Sequence, residues 1–218
     1  PLLMTPTGKY DENENQEAVI NFDRNGSIVS FHLTIAQKQY KKLMENISEY
    51  RLNDLENRQI ILDYVEQLRT AYNEKDIDFI DQVLKADALI ITGTVIKSLK
   101  DRIPLPEKIK YNVKHKQEYL SSLRRVFRIN SYIKVNFDDV EVIGHPSLPN
   151  YYGVTIHQSY RSSTYSDEGY VFLLWQFPKQ GESGYPKIYV RTWQPDQLNG
   201  KPLPQEELFN IDMFEGLY

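Results

Sequence analysis

Four residues of this chain have a type and a setting that could do chemistry: His157, Arg191 and the neighbours Asp138 and Asp139. His157 sits in the strand-like run 152–162, where an imidazole on one face could carry a proton near neutral pH. Its plainer role is a hydrogen bond to an adjoining strand or loop. Arg191 has Tyr189 and Trp193 two residues to either side, so period two puts all three on one strand face. A guanidinium in that aromatic setting could hold a carboxylate or phosphate through two parallel bonds. The plainer role is an ion pair or a cation–π stack within the sheet. Asp138 and Asp139 lie mid-strand, so one of them is expected to point inward, where a carboxyl with a raised pKa would suit a general base. A bulge or a strand-end turn explains the pair equally well.

Around these residues stand aromatic side chains that could shape a pocket. Leu173 and Trp175 share a side of the next strand, and the mixed face of His157, Trp175, Arg191 and Trp193 is the expected lining. Tyr64 and Tyr72 are eight residues apart on a helix, hence separated by about 80°, and both could look into the same space. The plainer fate of such tyrosines is a half-buried core position with the hydroxyl at the rim. His115 and His145 have no partner at metal-ligand spacing, and the chain shows no Gly-rich phosphate loop or Ser elbow. Neither a metal nor a cofactor is expected. With no cysteine, thiolate nucleophiles, disulfides and Cys-rich zinc sites are excluded. Such a chain suits the cytoplasm or the periplasm and cell envelope alike, and its start at Pro1 reads as a processing or truncation boundary.

The elements that must position these groups are clear in outline. A formal charge of 26 − 30 = −4 argues against a nucleic-acid surface. No apolar run is long enough to span a membrane. Residues 1–18 read as a polar arm. Asp23-Arg24-Asn25-Gly26 between two β-branched runs predicts a hairpin, and Thr34 with Gln37 opens a short helix to about Met44. Asn53 with Glu56 opens the clearest helix, whose stripe runs through Leu55, Ile61, Leu62, Val65, Leu68 and Tyr72. A second helix covers 77–84, a strand 88–96, a surface loop 99–110, and a third helix 119–127 with Arg124, Arg125 and Arg128 on its wet side. Strands follow at 133–143, 152–162, 170–177 and 187–193, with Ser166-Asp167-Glu168-Gly169 as a turn. Leu208, Phe209 and Met213 are docking points of a C-terminal tail.

Helix–helix–strand–helix–four strands, with Tyr64-Val65-Glu66-Gln67-Leu68 and Tyr72-Asn73-Glu74-Lys75-Asp76 in the long helix and Asp87-Ala88 entering the first strand, resembles the nuclear transport factor 2-like superfamily. That superfamily includes SnoaL-like and ketosteroid-isomerase-like proteins. Phe172-Leu173-Leu174-Trp175 and Ile188-Tyr189-Val190-Arg191-Thr192-Trp193 look like its uncharacterised bacterial members, those of Bacteroides type above all. The resemblance implies an α+β domain of three helices packed on a strongly curved antiparallel sheet, a cystatin-like cone, over residues 53–196. Residues 1–52 would add an arm, a β-hairpin and a short helix, and 197–218 a docking tail. The aromatic-rich mixed face, with no complete acid–base set, points to a non-catalytic module binding a small apolar or carboxylate-bearing ligand, or a partner segment, in the cone. An isomerase or dehydratase with His157 or Asp138/Asp139 as base is the alternative. The superfamily's acid-and-tyrosine site has no residue-by-residue match here. A third reading is assembly, with Tyr152, Ile156, Phe172 and Leu174 forming an apolar outer face that a homodimer would cover.

Overall fold

The computed structural model describes residues 18–33, 49–97, 99–100, 103–179 and 181–217. The chain divides into two compact units, Pro1–Leu55 and Glu56–Tyr218. In the first, β1 (Ala18–Phe22) and β2 (Ile28–Leu33) pair as the expected antiparallel hairpin. Asp23 closes its turn: the carboxylate accepts from the N–H groups of Asn25 and Ser27, each at 2.8 Å, and Gly26 takes the φ of +83° that a side chain would resist. The polar arm expected over residues 1–18 lies outside the described residues except for Ala18, which opens β1, and the helix expected from Thr34 to about Met44 lies outside them as well.

Helix α1 (Glu49–Glu74) begins ahead of the expected Asn53, and its inward positions are Ile61, Tyr64, Val65, Leu68 and Tyr72. Lys75, at φ +61°, ends it, and the Asp76 N–H reaches back to the Ala71 carbonyl at 2.8 Å. The Asp76 carboxylate then caps α2 (Ile77–Val83) by accepting from the N–H groups of Asp78 and Phe79. Strand β3 (Leu84–Ile96) follows. Next come a small hairpin, β4 (Leu99–Lys100) with β5 (Ile103–Pro104), and a full strand, β6 (Lys108–His115). These three replace the expected surface loop, because alternation of Lys with Ile109 and Tyr111 is itself strand-like and lysines are at home on an edge. Helix α3 (Lys116–Ile129) buries Leu120, Leu123 and Phe127.

The remaining strands are β7 (Ile133–Gly144), β8 (Tyr151–Ser162), β9 (Ser166–Gln176) and β10 (Lys187–Pro195), within a six-stranded sheet of order β6-β3-β10-β9-β8-β7. The α+β class is that expected, and so is the order of helices and strands apart from β4, β5 and β6, with one correction to the sheet. It is mixed, since β3 and β10, its second and third strands, run parallel while every other neighbouring pair is antiparallel. A second correction is that Ser166-Asp167-Glu168-Gly169 is the start of β9 rather than a turn, and Asp167 lies directly opposite Tyr160. Two bulges interrupt the register, one at 138–141 in β7 and one at 188–190 in β10, and such insertions bend a strand and re-aim its side chains.

One face of the sheet packs on the three helices, and the chain's own tail covers the other around β3, β9 and β10. After the two-residue strands β11 (Gln197–Leu198) and β12 (Lys201–Pro202), two 3₁₀ segments, Gln205–Glu207 and Ile211–Leu217, lay Ile211 and Phe214 on Phe172, Leu174 and Val190. Buried Gln194 pins that tail, accepting from the Phe209 N–H at 2.8 Å and donating to the Glu207 carbonyl at 3.0 Å. Phe209 stacks on Phe214, whereas Met213 is exposed. The outer face thus has an intramolecular cover. Tyr152 and Ile156 do not belong to it, because they face the helices.

Candidate functional site

Strand alternation and the β10 bulge decide which side chains meet under the helices. Val154, Ile156 and Tyr160 of β8, and Val171, Leu173 and Trp175 of β9, all face α1 to α3. On β10 the extra residue at the bulge turns Tyr189 to the tail side together with Val190 and leaves Ile188, Arg191 and Trp193 facing the helices. Tyr189 therefore does not share a face with Arg191, contrary to the simple period of two.

Arg191 is the centre of this face. It is 93% buried, given its 7% exposure. Its guanidinium carbon lies 5.8 Å from the Tyr72 ring centre and 5.4 Å from that of Tyr119, inside cation–π range of both. The two tyrosine hydroxyls hydrogen-bond each other, which joins α1 to α3 at the spot the cation faces. Burial pulls the guanidinium pKa down, but the Tyr119 and Tyr72 hydroxyls and Asp167 outweigh it and hold it above its ordinary value, so Arg191 stays a cation. Among the described residues Arg191 forms no direct ion pair. Desolvation pushes the Tyr119 hydroxyl well above its usual range, against the pull of Arg191.

A carboxylate stands further along the same face. Asp167, opposite Tyr160, accepts a hydrogen bond from Tyr165. Burial raises its pKa, while the Tyr165 bond and the Arg191 charge pull the other way without cancelling it. Its Oδ1 is buried with no hydrogen-bond partner among the described residues, and the same holds for the indole N–H groups of Trp175 and Trp193. The Trp193 ring runs over Gly169: a Cβ built there would come within 3.0 Å of the ring and 2.2 Å of the Gln194 carbonyl oxygen, so only glycine fits.

Towards the other end, the face turns apolar. Trp175 is fully buried and packs on Tyr64 with ring centres 5.7 Å apart, and Tyr64 in turn stacks on Phe79. Beyond Trp175 the chain opens into a cleft of about 330 Å³ lined by Gln176, Phe177, Tyr185, Lys85 and Lys187 among others. Phe177 links the two regions, since it also packs on Tyr152 at 5.5 Å.

The structure therefore brings together Tyr64, Tyr72, Trp175, Arg191 and Trp193 on one face and separates His157 from them. His157 projects from the opposite side of β8, with Nε2 3.9 Å from Asp196 and its ring edge-on to Tyr170. It cannot reach Arg191 through the sheet. Asp138 and Asp139 are both exposed at the β7 bulge, where Asp139 adopts φ +50°, so neither is the inward-facing carboxyl the strand reading suggests. The groups that the sequence reading missed are Tyr119, Tyr160 and Asp167. Extending the period of two back from Leu173 through Val171 and Gly169 would have reached Asp167, but the composition of 166–169 reads as a turn. Among the described residues no cluster of three or more potential metal ligands occurs, and no helix is long and apolar enough to cross a membrane.

No family model matches the chain, and no curated protein matches it. Solved structures do. One is a protein from Bdellovibrio bacteriovorus, 14% identical, matching over 83% of this chain and 46% of that one with a TM-score of 0.48. This chain thus spans under half of that protein's length. A second is a nuclear transport factor 2-like protein from Cytophaga hutchinsonii, 14% identical over 63% of this chain and 97% of that one, TM-score 0.48. A third is a candidate scytalone dehydratase from Novosphingobium aromaticivorans, 8% identical over 70% and 92%, also at 0.48. The α+β fold of this chain stands on its own element order and strand pairing.

Proposed function

We propose that this chain is a non-catalytic binding module that holds a small carboxylate-bearing ligand with an apolar body on the helix-facing side of its sheet. Arg191 receives the carboxylate. The observation that carries the reading is a buried cation with no direct ion pair among the described residues, held between two tyrosine rings. A buried charge is normally paired, and a planar guanidinium matches a carboxylate through two parallel bonds. Aromatic neighbours supply the apolar remainder of such a site.

The chain has two tryptophans, Trp175 and Trp193, and both lie on this face, so intrinsic fluorescence reports on it directly. Titration with phenylacetate is expected to change that emission and saturate. Arg191→Met, which keeps the volume and removes the charge, is expected to weaken binding by roughly ten- to a hundredfold, the worth of a hydrogen-bonded charge. Equal affinity in the variant would sink the assignment of Arg191 as the carboxylate receptor.

A further inference from the structure

We infer that the ligand of this site carries a hydroxyl group besides its carboxylate, and that Asp167 accepts the hydroxyl proton while Arg191 holds the acid. The inference rests on the carboxylate reading of Arg191 and adds the chemistry of the ligand's second polar end.

The argument starts from strand geometry. Asp167, Gly169, Val171, Leu173 and Trp175 alternate onto the helix-facing side of β9, and Arg191 and Trp193 occupy the same side of β10. Gly169 has no side chain, so the Trp193 ring settles over it, and the floor between Arg191 and Asp167 is a flat indole rather than a branched side chain. Tyr160 stands directly across from Asp167, whose Oδ1 is a buried acceptor with no hydrogen-bond partner among the described residues. Buried carboxylate oxygens without a donor are rare, because leaving one unpaired costs a large share of its desolvation.

Arg191 and Asp167 influence each other electrostatically, yet they do not close into an ion pair. A ligand lying across the Trp193 ring would bridge them, with acceptor atoms at the cation and a donor at the anion. A hydroxyl suits the second place better than an ammonium. It brings no second positive charge close to Arg191 and avoids burying an additional ion.

The test uses the full chain and five probes: phenylacetate, 3-hydroxyphenylacetate, 4-hydroxyphenylacetate and mandelate, with phenylalanine as the ammonium-bearing comparison. Dissociation constants come from tryptophan fluorescence, and the melting temperature of each variant checks its fold. At least one hydroxylated probe is expected to bind about tenfold more tightly than phenylacetate, the worth of one hydrogen bond to a charged group. Asp167→Asn should shrink that advantage and Asp167→Ala should remove it. If phenylacetate binds through Arg191 but no hydroxyl improves it, or the gain survives Asp167→Ala, the hydroxyl inference is overturned and the carboxylate site stands. A preference for phenylalanine over all hydroxylated probes overturns the hydroxyl in favour of an ammonium. If no probe binds, the carboxylate reading itself falls, and this inference with it.

Discussion

Arg191 offers a way to separate binding from folding at a single side chain. Buried charges are often neutral or costly for stability, and replacing them with apolar groups of similar volume commonly stabilises. Arg191→Met is therefore expected to melt no lower than the unaltered chain while losing the ligand; a drop of many degrees would mean that the cation is a structural strut between Tyr72 and Tyr119. Asp167 makes a pH prediction. Its folded-state pKa is raised above the unfolded value, so the folded state binds the proton more tightly. The stability it contributes is present below the ordinary carboxylate range and lost as pH climbs from there through the raised value. Urea midpoints of the unaltered chain should fall relative to Asp167→Asn across that window and run parallel to them above it. Tyr72 and Arg191 could both be picked out from the sequence, because helical and strand periods place them. Asp167 could not, since Ser166, Glu168 and Gly169 around it have the composition of a turn and the strand continues through them only because β8 pairs with it.

Among the elements, β7 is an edge strand that α1 partly closes. The Asn73 side chain accepts from the Val135 N–H at 2.6 Å and donates to the Val135 carbonyl at 3.1 Å, reproducing one rung of a ladder. Asn73→Ala is expected to cost about 1–3 kcal/mol in urea unfolding by stranding a part-buried pair of backbone groups. Hydrogen exchange at the Val135 amide should quicken along with it; unchanged protection there would rule out the mechanism. The tail contributes through packing: Phe214 stacks on Phe172 with ring centres 5.6 Å apart and is 7% exposed. Phe214→Ala should destabilise by about 3 kcal/mol, the lower end for a core aromatic. The long helix, the hairpin turn and the strands from 133 onward are readable from period and punctuation. Strand β6 is not, because Pro104 and Pro106 and the lysines after them carry the marks of a loop, and the pairing that makes 108–115 a strand comes from β3, which lies before them in the chain.

For the molecule as a whole, the two faces of the sheet have separate work. His157, paired with Asp196 near the tail side, should not affect what happens beside Arg191. Accordingly, His157→Ala is expected to leave the phenylacetate titration unchanged within a factor of two; a tenfold loss would join the two faces functionally and contradict the separation. The placement of β10 has a further consequence, for the order in which the molecule can assemble. β10 is the last long strand, yet it lies between β3 and β9. Until residues 187–195 are in place, β6 with β3 and β9 with β8 and β7 are two unconnected half-sheets. Joining them requires Val190 to find Leu89 across about a hundred residues of chain. Contacts so distant in sequence make folding slow, since loop-closure entropy is spent before the rungs reward it. A nascent chain stopped just short of Lys187 would expose both inner edges at once, and open strand edges invite pairing with other molecules. Of the six strands of this sheet, the one made last is the one on which the other five wait.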